Sequence, residues 1–212
     1  MRVIAGSLKG RRLKTPWWDG LRPTSDQLRE TLFNILAPRI AGARVLDGYA
    51  GTGALGIEAF SRGAAWVTLI DDDRRAETLI AENLARCGIE NSYAIIRAKV
   101  ARALDSLHHQ PAFEPFEIVL LDPPYALRSV SRAGVSRAGV SRTGVSRTGG
   151  DDLEAVLTAA GRVLAPTGVL VLERARRDPA PETAGRLRHS RTVVSGDSAL
   201  SFYEMQSGSH GS

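Results

Sequence analysis

The sequence predicts an α/β fold, a mostly parallel sheet of seven strands with helices on both faces and a C-terminal antiparallel hairpin. Three observations predict it. From residue 44 onward, short apolar runs alternate with helical patterns, the βαβα rhythm of a parallel sheet. Two last extended segments follow each other with no helix between them, which reads as a hairpin. The chain has 212 residues, room for one sizeable domain and little more.

The elements follow in order. Residues 1–43 form a basic arm and a helix. Arg2, Lys9, Arg11, Arg12 and Lys14 all precede the first acid, Asp19. The stretch "LRPTSDQLRETLFNIL" then reads as a helix capped by Thr24, with Gln27 closing a capping box. Leu28, Leu32, Ile35 and Leu36 share one face, and Pro38 is expected to mark its end. A domain over 44–206 follows, with strands expected at 44–47, 66–71, 93–97, 118–121 and 168–173. Helices are expected near 54–62, 74–87, 100–108 and 152–163. The hairpin falls at 188–194 and 199–205, with "SGDS" at the turn. Residues 130–149, "VSRAGVSRAGVSRTGVSRTG", write a five-residue unit four times. Glycine, serine and mutually repelling arginines make it a flexible loop, either a phosphate-gripping lid or a tolerated repeat expansion. The tail, 207–212, is expected to be disordered.

Composition narrows the function classes. Hydrophobic content of 43% and charged content of 24% suit a globular protein. No apolar run approaches the ~20 residues that cross a bilayer, and the N-terminus lacks a secretory signal pattern, so a cytoplasmic location is expected. One cysteine, Cys87, gives no disulfide framework and no cysteine-rich metal site; no metal is expected. The net charge of +5 is almost all arginine, whose planar fork suits phosphate and favours a nucleic-acid partner.

Two stretches carry chemistry. In "RVLDGYAGTGALGIEAF", Gly51, Gly53 and Gly56 spell G-x-G-x-x-G, and Asp71 follows Gly51 by 20 residues. That is the dinucleotide-binding fingerprint, so a nicotinamide or flavin enzyme competes. Against it, Asp47 stands inside the turn, where a carboxylate opposes a pyrophosphate but suits an amine-bearing, cationic ligand. S-adenosylmethionine is such a ligand: it has an α-amino group, a sulfonium and no phosphate. Asp71 fits either reading, accepting hydrogen bonds from ribose hydroxyls. Asp72 and Asp73 read as a solvated turn that caps the next helix.

The second stretch, "EIVLLDPPYALRSV", ends an apolar strand on Asp122, Pro123, Pro124 and Tyr125. Asp-Pro is an ordinary turn opener. It is also a rigid acidic cup. Asp122 and the Pro123 carbonyl can each accept a hydrogen bond from an exocyclic amine, and the two rings fix the turn. Tyr125 offers a face on which a base, drawn out of its helix, can stack.

With these residues in view, the chain resembles the class I S-adenosylmethionine-dependent methyltransferases that modify amino nitrogens, a Rossmann-like fold. "RVIAGSLKGRRLKTP", "LRPTSDQLRETLFNIL" and "VLDGYAGTGALGIEAFSRGA" resemble the RsmD family, which methylates the N2 of a guanine in 16S ribosomal RNA of the small subunit. The resemblance runs from Arg2 to about Met205, apart from the repeat. It implies S-adenosylmethionine as cofactor and 16S rRNA, in the 30S subunit or an assembly intermediate, as partner of a monomer. Asp47, Gly51 and Gly53 would line the methionine side of the cofactor and Asp71 its ribose. Asp122, Pro123, Pro124 and Tyr125 would hold the target base. Arg11, Arg12, Arg22, Thr24 and Arg29 would face RNA, with Pro23 and Glu30 in the same signature. The chain departs from the pattern at Lys99, where methyltransferases often place an acid or amide for the adenine amine. DNA adenine-N6 methylation and a non-catalytic RNA-binding protein on the same fold are the alternatives.

Overall fold

The computed structural model describes residues 1–16, 25–124 and 152–206. The N-terminal arm folds back on itself. Arg2 and Arg12 form an antiparallel bridge, and Val3 and Leu13 are buried beneath it. Helix α1 (Asp26–Ile40) follows, capped by Ser25, whose side chain accepts the Leu28 N–H. This corrects the expected capping box: Ser25 takes the cap, one residue after Thr24, which lies outside the described residues. The helix also runs through Pro38. The missing N–H costs one helical bond, to the carbonyl of Asn34, which lies on the exposed side, and only Arg39 and Ile40 follow before the helix ends. Leu28, Leu32, Phe33 and Leu36 are buried, while Ile35 only packs against that core.

The remaining elements are β1 (Arg44–Gly48), α2 (Ala54–Ser61), β2 (Trp66–Asp71), α3 (Arg74–Cys87), β3 (Tyr93–Arg97), α4 (Val100–His108), β4 (Phe116–Leu121), α5 (Leu153–Val163), β5 (Leu164–Ala175), β6 (Thr183–Ala184), β7 (Leu187–Ser195) and β8 (Ser198–Met205). They build one sheet of eight strands in the order β3-β2-β1-β4-β5-β8-β7-β6. β1 to β5 are parallel and the rest antiparallel. The expected count of seven is exceeded by the two-residue edge strand β6, too short to register as a pattern. β5 begins four residues before its expected start, because Leu164 pairs with Phe116 across a register shift.

Apolar residues sort to the two faces of the sheet. α1, α2 and α3 bury Phe33, Ile57, Ile80 and Leu84 on one face; α4 and α5 bury Leu104, Val156 and Leu157 on the other. Central strands are covered on both sides, so β4 ends in the continuous apolar run Ile118 to Leu121 and Val45 and Leu46 of β1 are both buried. Cys87 is buried at the end of α3 as a small core residue. Among the described residues no helix is long and apolar enough to cross a membrane.

Candidate active site

Strand order reverses between β1 and β4, so their carboxyl ends share one crevice, where ligands of open α/β sheets bind. Gly48 pairs with Leu121, and the Asp122 N–H lies 3.4 Å from the Gly48 carbonyl oxygen. The two sequence stretches singled out above thus meet side by side.

The turn after β1 is tightly wired. Tyr49, Gly51 and Gly53 all have left-handed φ, at +65°, +56° and +76°. Glycine tolerates this; for Tyr49 it stores strain of the kind that collects at functional turns. Asp71, at the end of β2, clamps the turn: Oδ2 accepts the Gly51 N–H at 2.8 Å and Oδ1 the Asp73 N–H at 2.9 Å. Partial burial is the main cause raising its pKa, against the pull of those two N–H groups, and the charges of Asp72 and Asp73 add to the rise. Asp73 caps α3 and Asp72 is exposed.

Asp47 is 1% exposed, and its Oδ2 accepts the Gly56 N–H at 2.8 Å. Gly56 lies in the first turn of α2, so the carboxylate fills the positive end of that helix. This is the place where a dinucleotide pyrophosphate sits in the rival reading. Gly56 itself is where α2 touches β2: a Cβ there would come within 2.9 Å of the Val67 and Leu69 side chains. Burial pushes the Asp47 carboxyl up to about 7; the Gly56 bond opposes this, and the charges of Asp122 and Asp71 add to it. Asp47 therefore feels the charge of both other carboxyl groups at the rim.

On the β4 side, Asp122 is partly exposed, Pro123 is buried and Pro124 exposed. Tyr125, Arg22, Pro23, Thr24 and the repeat at 130–149 lie outside the described residues. Lys99 is exposed at the N-terminus of α4.

Of the expected RNA-facing cations, Arg11 and Arg12 are exposed on the arm; Arg11 Nη1 also donates to the Arg86 carbonyl at 3.2 Å. Arg29 does not face solvent. It is 0% exposed, and its Nη2 donates to the Arg2 carbonyl at 2.9 Å and to Asp26 at 2.6 Å. The direct RNA contact expected of it is corrected here: it holds the arm against α1 from inside, and its Nε and Nη1 have no hydrogen-bond partner among the described residues. Glu30 is exposed.

Sequence reading missed the residues that seat the arm. Glu58, fully buried in α2, accepts the Ile4 and Ala5 N–H groups at 2.7 and 3.0 Å and the Arg62 side chain at 2.8 Å. Ser61 bonds the backbone of Ala5 and Leu8. Asn83, fully buried in α3, accepts the Lys14 N–H at 2.7 Å and donates to the Thr52 carbonyl at 2.9 Å. A signal for both was present. Glu58 interrupts the apolar run "ALGIEAF", and Asn83 interrupts the stripe Ala76, Leu79, Ile80, Leu84, Cys87.

Comparison with known proteins bears on this rim. A family model described as conserved hypothetical protein 95 matches residues 1–136. Ribosomal RNA small subunit methyltransferase D of Escherichia coli (strain K12) is 45% identical over 125 residues, 59% of this chain; the chain spans 60% of that relative's length. YlbH of Bacillus subtilis (strain 168), named provisionally as an rRNA methyltransferase, is 32% identical over 206 residues, 96% of this chain and 98% of that protein. Among solved structures, yhhF from Escherichia coli, provisionally titled a methyltransferase, superposes with a TM-score of 0.73 at 30% identity, covering 97% of each chain.

Proposed function

The chain belongs to the family described as conserved hypothetical protein 95, the RsmD family, and from that premise and the geometry of the rim we propose that it methylates 16S rRNA of the small ribosomal subunit. The methyl donor is S-adenosylmethionine and the acceptor is the exocyclic N2 of a guanine. One observation carries the reading: the β1 turn and Asp122 open on the same crevice, with a carboxylate already in the N-terminus of α2.

The residues present fit that donor. Asp47 leaves no unfilled positive helix end for a phosphate and favours a cationic group beside it. Asp71 keeps lone pairs for ribose hydroxyls beyond the two backbone N–H groups it accepts. Gly51 and Gly53, without side chains, let the backbone approach closely. When bound, S-adenosylmethionine supplies an electrophilic methyl on a sulfonium.

Everything else is positioning. A guanine amine is a weak nucleophile because its lone pair is delocalised into the ring. Asp122 and the Pro123 carbonyl accept its two N–H bonds and turn the nitrogen lone pair toward the β1 side. The proline pair holds both acceptors in place before the base arrives, so orientation and fixed charge supply the acceleration. Tyr125 stacks on the extruded base. Arg11 and Arg12 on the arm, with Arg22 and Thr24 beyond it, meet the phosphate backbone. Residues 44–206 act as the catalytic unit and 1–43 as the docking arm, in a cytoplasmic monomer acting on the 30S subunit or its assembly intermediates.

Incubating the protein and labelled cofactor with small-subunit rRNA from cells lacking the enzyme tests this. Nucleoside mass spectrometry should show N2-methylguanosine; label entering only DNA, or no RNA at all, overturns the proposal.

A further inference from the structure

The N-terminal arm and the turn after β1 are joined by one side chain. Asn83 Oδ1 accepts the Lys14 N–H at 2.7 Å, while Nδ2 donates to the Lys14 carbonyl at 3.2 Å and to the Thr52 carbonyl at 2.9 Å. With the arm seated, Asn83 is 0% exposed, so these bonds are made out of reach of solvent. Thr52 follows Gly51, whose N–H is held by Asp71, so the turn is gripped from β2 on one side and from α3 on the other. The arm's far end reaches the same place: the Thr52 hydroxyl lies 3.9 Å from Met1 Sδ. Arg2, Lys9 and Arg12 stand exposed on the arm with no ion-pair partner among the described residues, whereas Lys14 pairs with Glu82 at 2.8 Å.

We propose that Asn83 is a positioning residue that couples the arm to the cofactor turn, so that RNA seated on the arm's cations tightens the hold on the nucleoside cofactor. The clamp itself needs only the ligand-free protein; the RNA half of the coupling rests on the proposed rRNA substrate. The physical basis is backbone satisfaction. Asn83 has one amide, and it serves the arm and the turn together. When the arm lifts, the Asn83 carbonyl loses its donor and the amide loses one of two acceptors. The rotamer aimed at Thr52 is then no longer fixed, and the turn's left-handed residues relax. By reciprocity, whatever holds the arm down favours the turn in its binding shape to the same degree.

Three variants separate this from a general packing role. Lys14→Pro removes the arm's N–H and leaves Asn83 intact. Lys14→Ala removes only the exposed charge. Asn83→Ala removes the link from the other side. Hydrogen exchange on the ligand-free protein reads the clamp directly. Amides of residues 50–53 should exchange roughly tenfold faster in Lys14→Pro and Asn83→Ala, and at the wild-type rate in Lys14→Ala, with Val45 and Leu46 in β1 unchanged in all three.

Calorimetry with S-adenosylhomocysteine reads the coupling. Small-subunit RNA should tighten its binding to wild type roughly fivefold, and should have no such effect in Lys14→Pro. Should Asn83→Ala not fold, Lys14→Pro against Lys14→Ala decides alone. Wild-type exchange at 50–53 in Lys14→Pro overturns the clamp. A wild type that binds no S-adenosylhomocysteine overturns the methyltransferase reading instead and leaves the exchange result to judge the clamp.

Discussion

The two strand ends that make the crevice are built on opposite plans. After β1, the turn is closed on itself: Asp47 caps α2, Asp71 holds Gly51, Asn83 holds Thr52, and Tyr49, Gly51 and Gly53 adopt left-handed φ. After β4, a partly exposed carboxylate and two prolines stand at the rim, and the two rings fix the backbone by covalent geometry. A ligand that recurs unchanged in every turnover can be met by a finished socket. On the proposed reading, a base that arrives on a large RNA needs an open approach, and the proline rings add rigidity there.

If that division holds, damage at the two ends should separate kinetically. The largest effect is expected at Asp122. Asp122→Ala should lower methyl transfer by about 10²–10³-fold, with S-adenosylhomocysteine binding near wild type by calorimetry. Equal loss of cofactor binding would erase the distinction. Next, Asp71→Ala should weaken cofactor binding by roughly 10–100-fold, since it removes the ribose acceptor and frees the Gly51 N–H together. Its effect on the rate at saturating cofactor should be much smaller.

Asp47 sharpens the comparison through pH. Burial disfavours its anion, so the carboxyl of the folded protein is pushed up to about 7 from the ordinary aspartate value of 3.8. The folded state therefore holds the proton more tightly than the unfolded chain. Between about pH 4 and 7 ligand-free stability should fall as pH rises, by up to roughly 4 kcal/mol in all, and level off above that. Cofactor affinity should run the other way, because a cation beside Asp47 favours the anion. It should rise up to about tenfold per pH unit below neutrality and flatten above. Asp47→Asn should remove both slopes, which melting curves and calorimetric titrations across roughly pH 5–8 would show. The smallest effect is expected at Gly56→Ala, where the new methyl meets Val67 and Leu69 at 2.9 Å. A loss of about 1–2 kcal/mol in denaturant unfolding, with cofactor affinity little changed, would mark Gly56 as a packing residue distinct from Gly51 and Gly53.

The same contrast explains what the sequence made legible. β2, β3, α3 and α4 fall where periodicity put them, because each is a short amphipathic or apolar run bounded by polar or glycine residues. The meeting of Asp47, Asp71 and Asp122 was legible too, since a parallel sheet sends every carboxyl end to one edge. What escaped depends on contacts far apart in sequence. Glu58 to Ile4 and Asn83 to Lys14 span 54 and 69 residues, and no local pattern encodes such a partner. Arg29 escaped for the converse reason: an arginine beside a basic arm looks like a phosphate contact, and only packing turns it inward. Pro38 misled because its usual meaning as a breaker yields near a helix end.

The last strands of the sheet carry a consequence for the molecule's neighbours. Among the described residues, β6 pairs β7 at Leu187 and Arg188, the His189 N–H bonds the Glu182 carbonyl, and the rest of that margin presents backbone groups that another chain could join. That margin is broken by a register shift between His189 and Arg191, and Arg188 and Arg191 stand exposed along it. A kinked, cationic border makes a poor template for strand-on-strand growth. Crowded copies of this protein should repel along that border, so its solubility is guarded at the end of the sheet farthest from the crevice between β1 and β4.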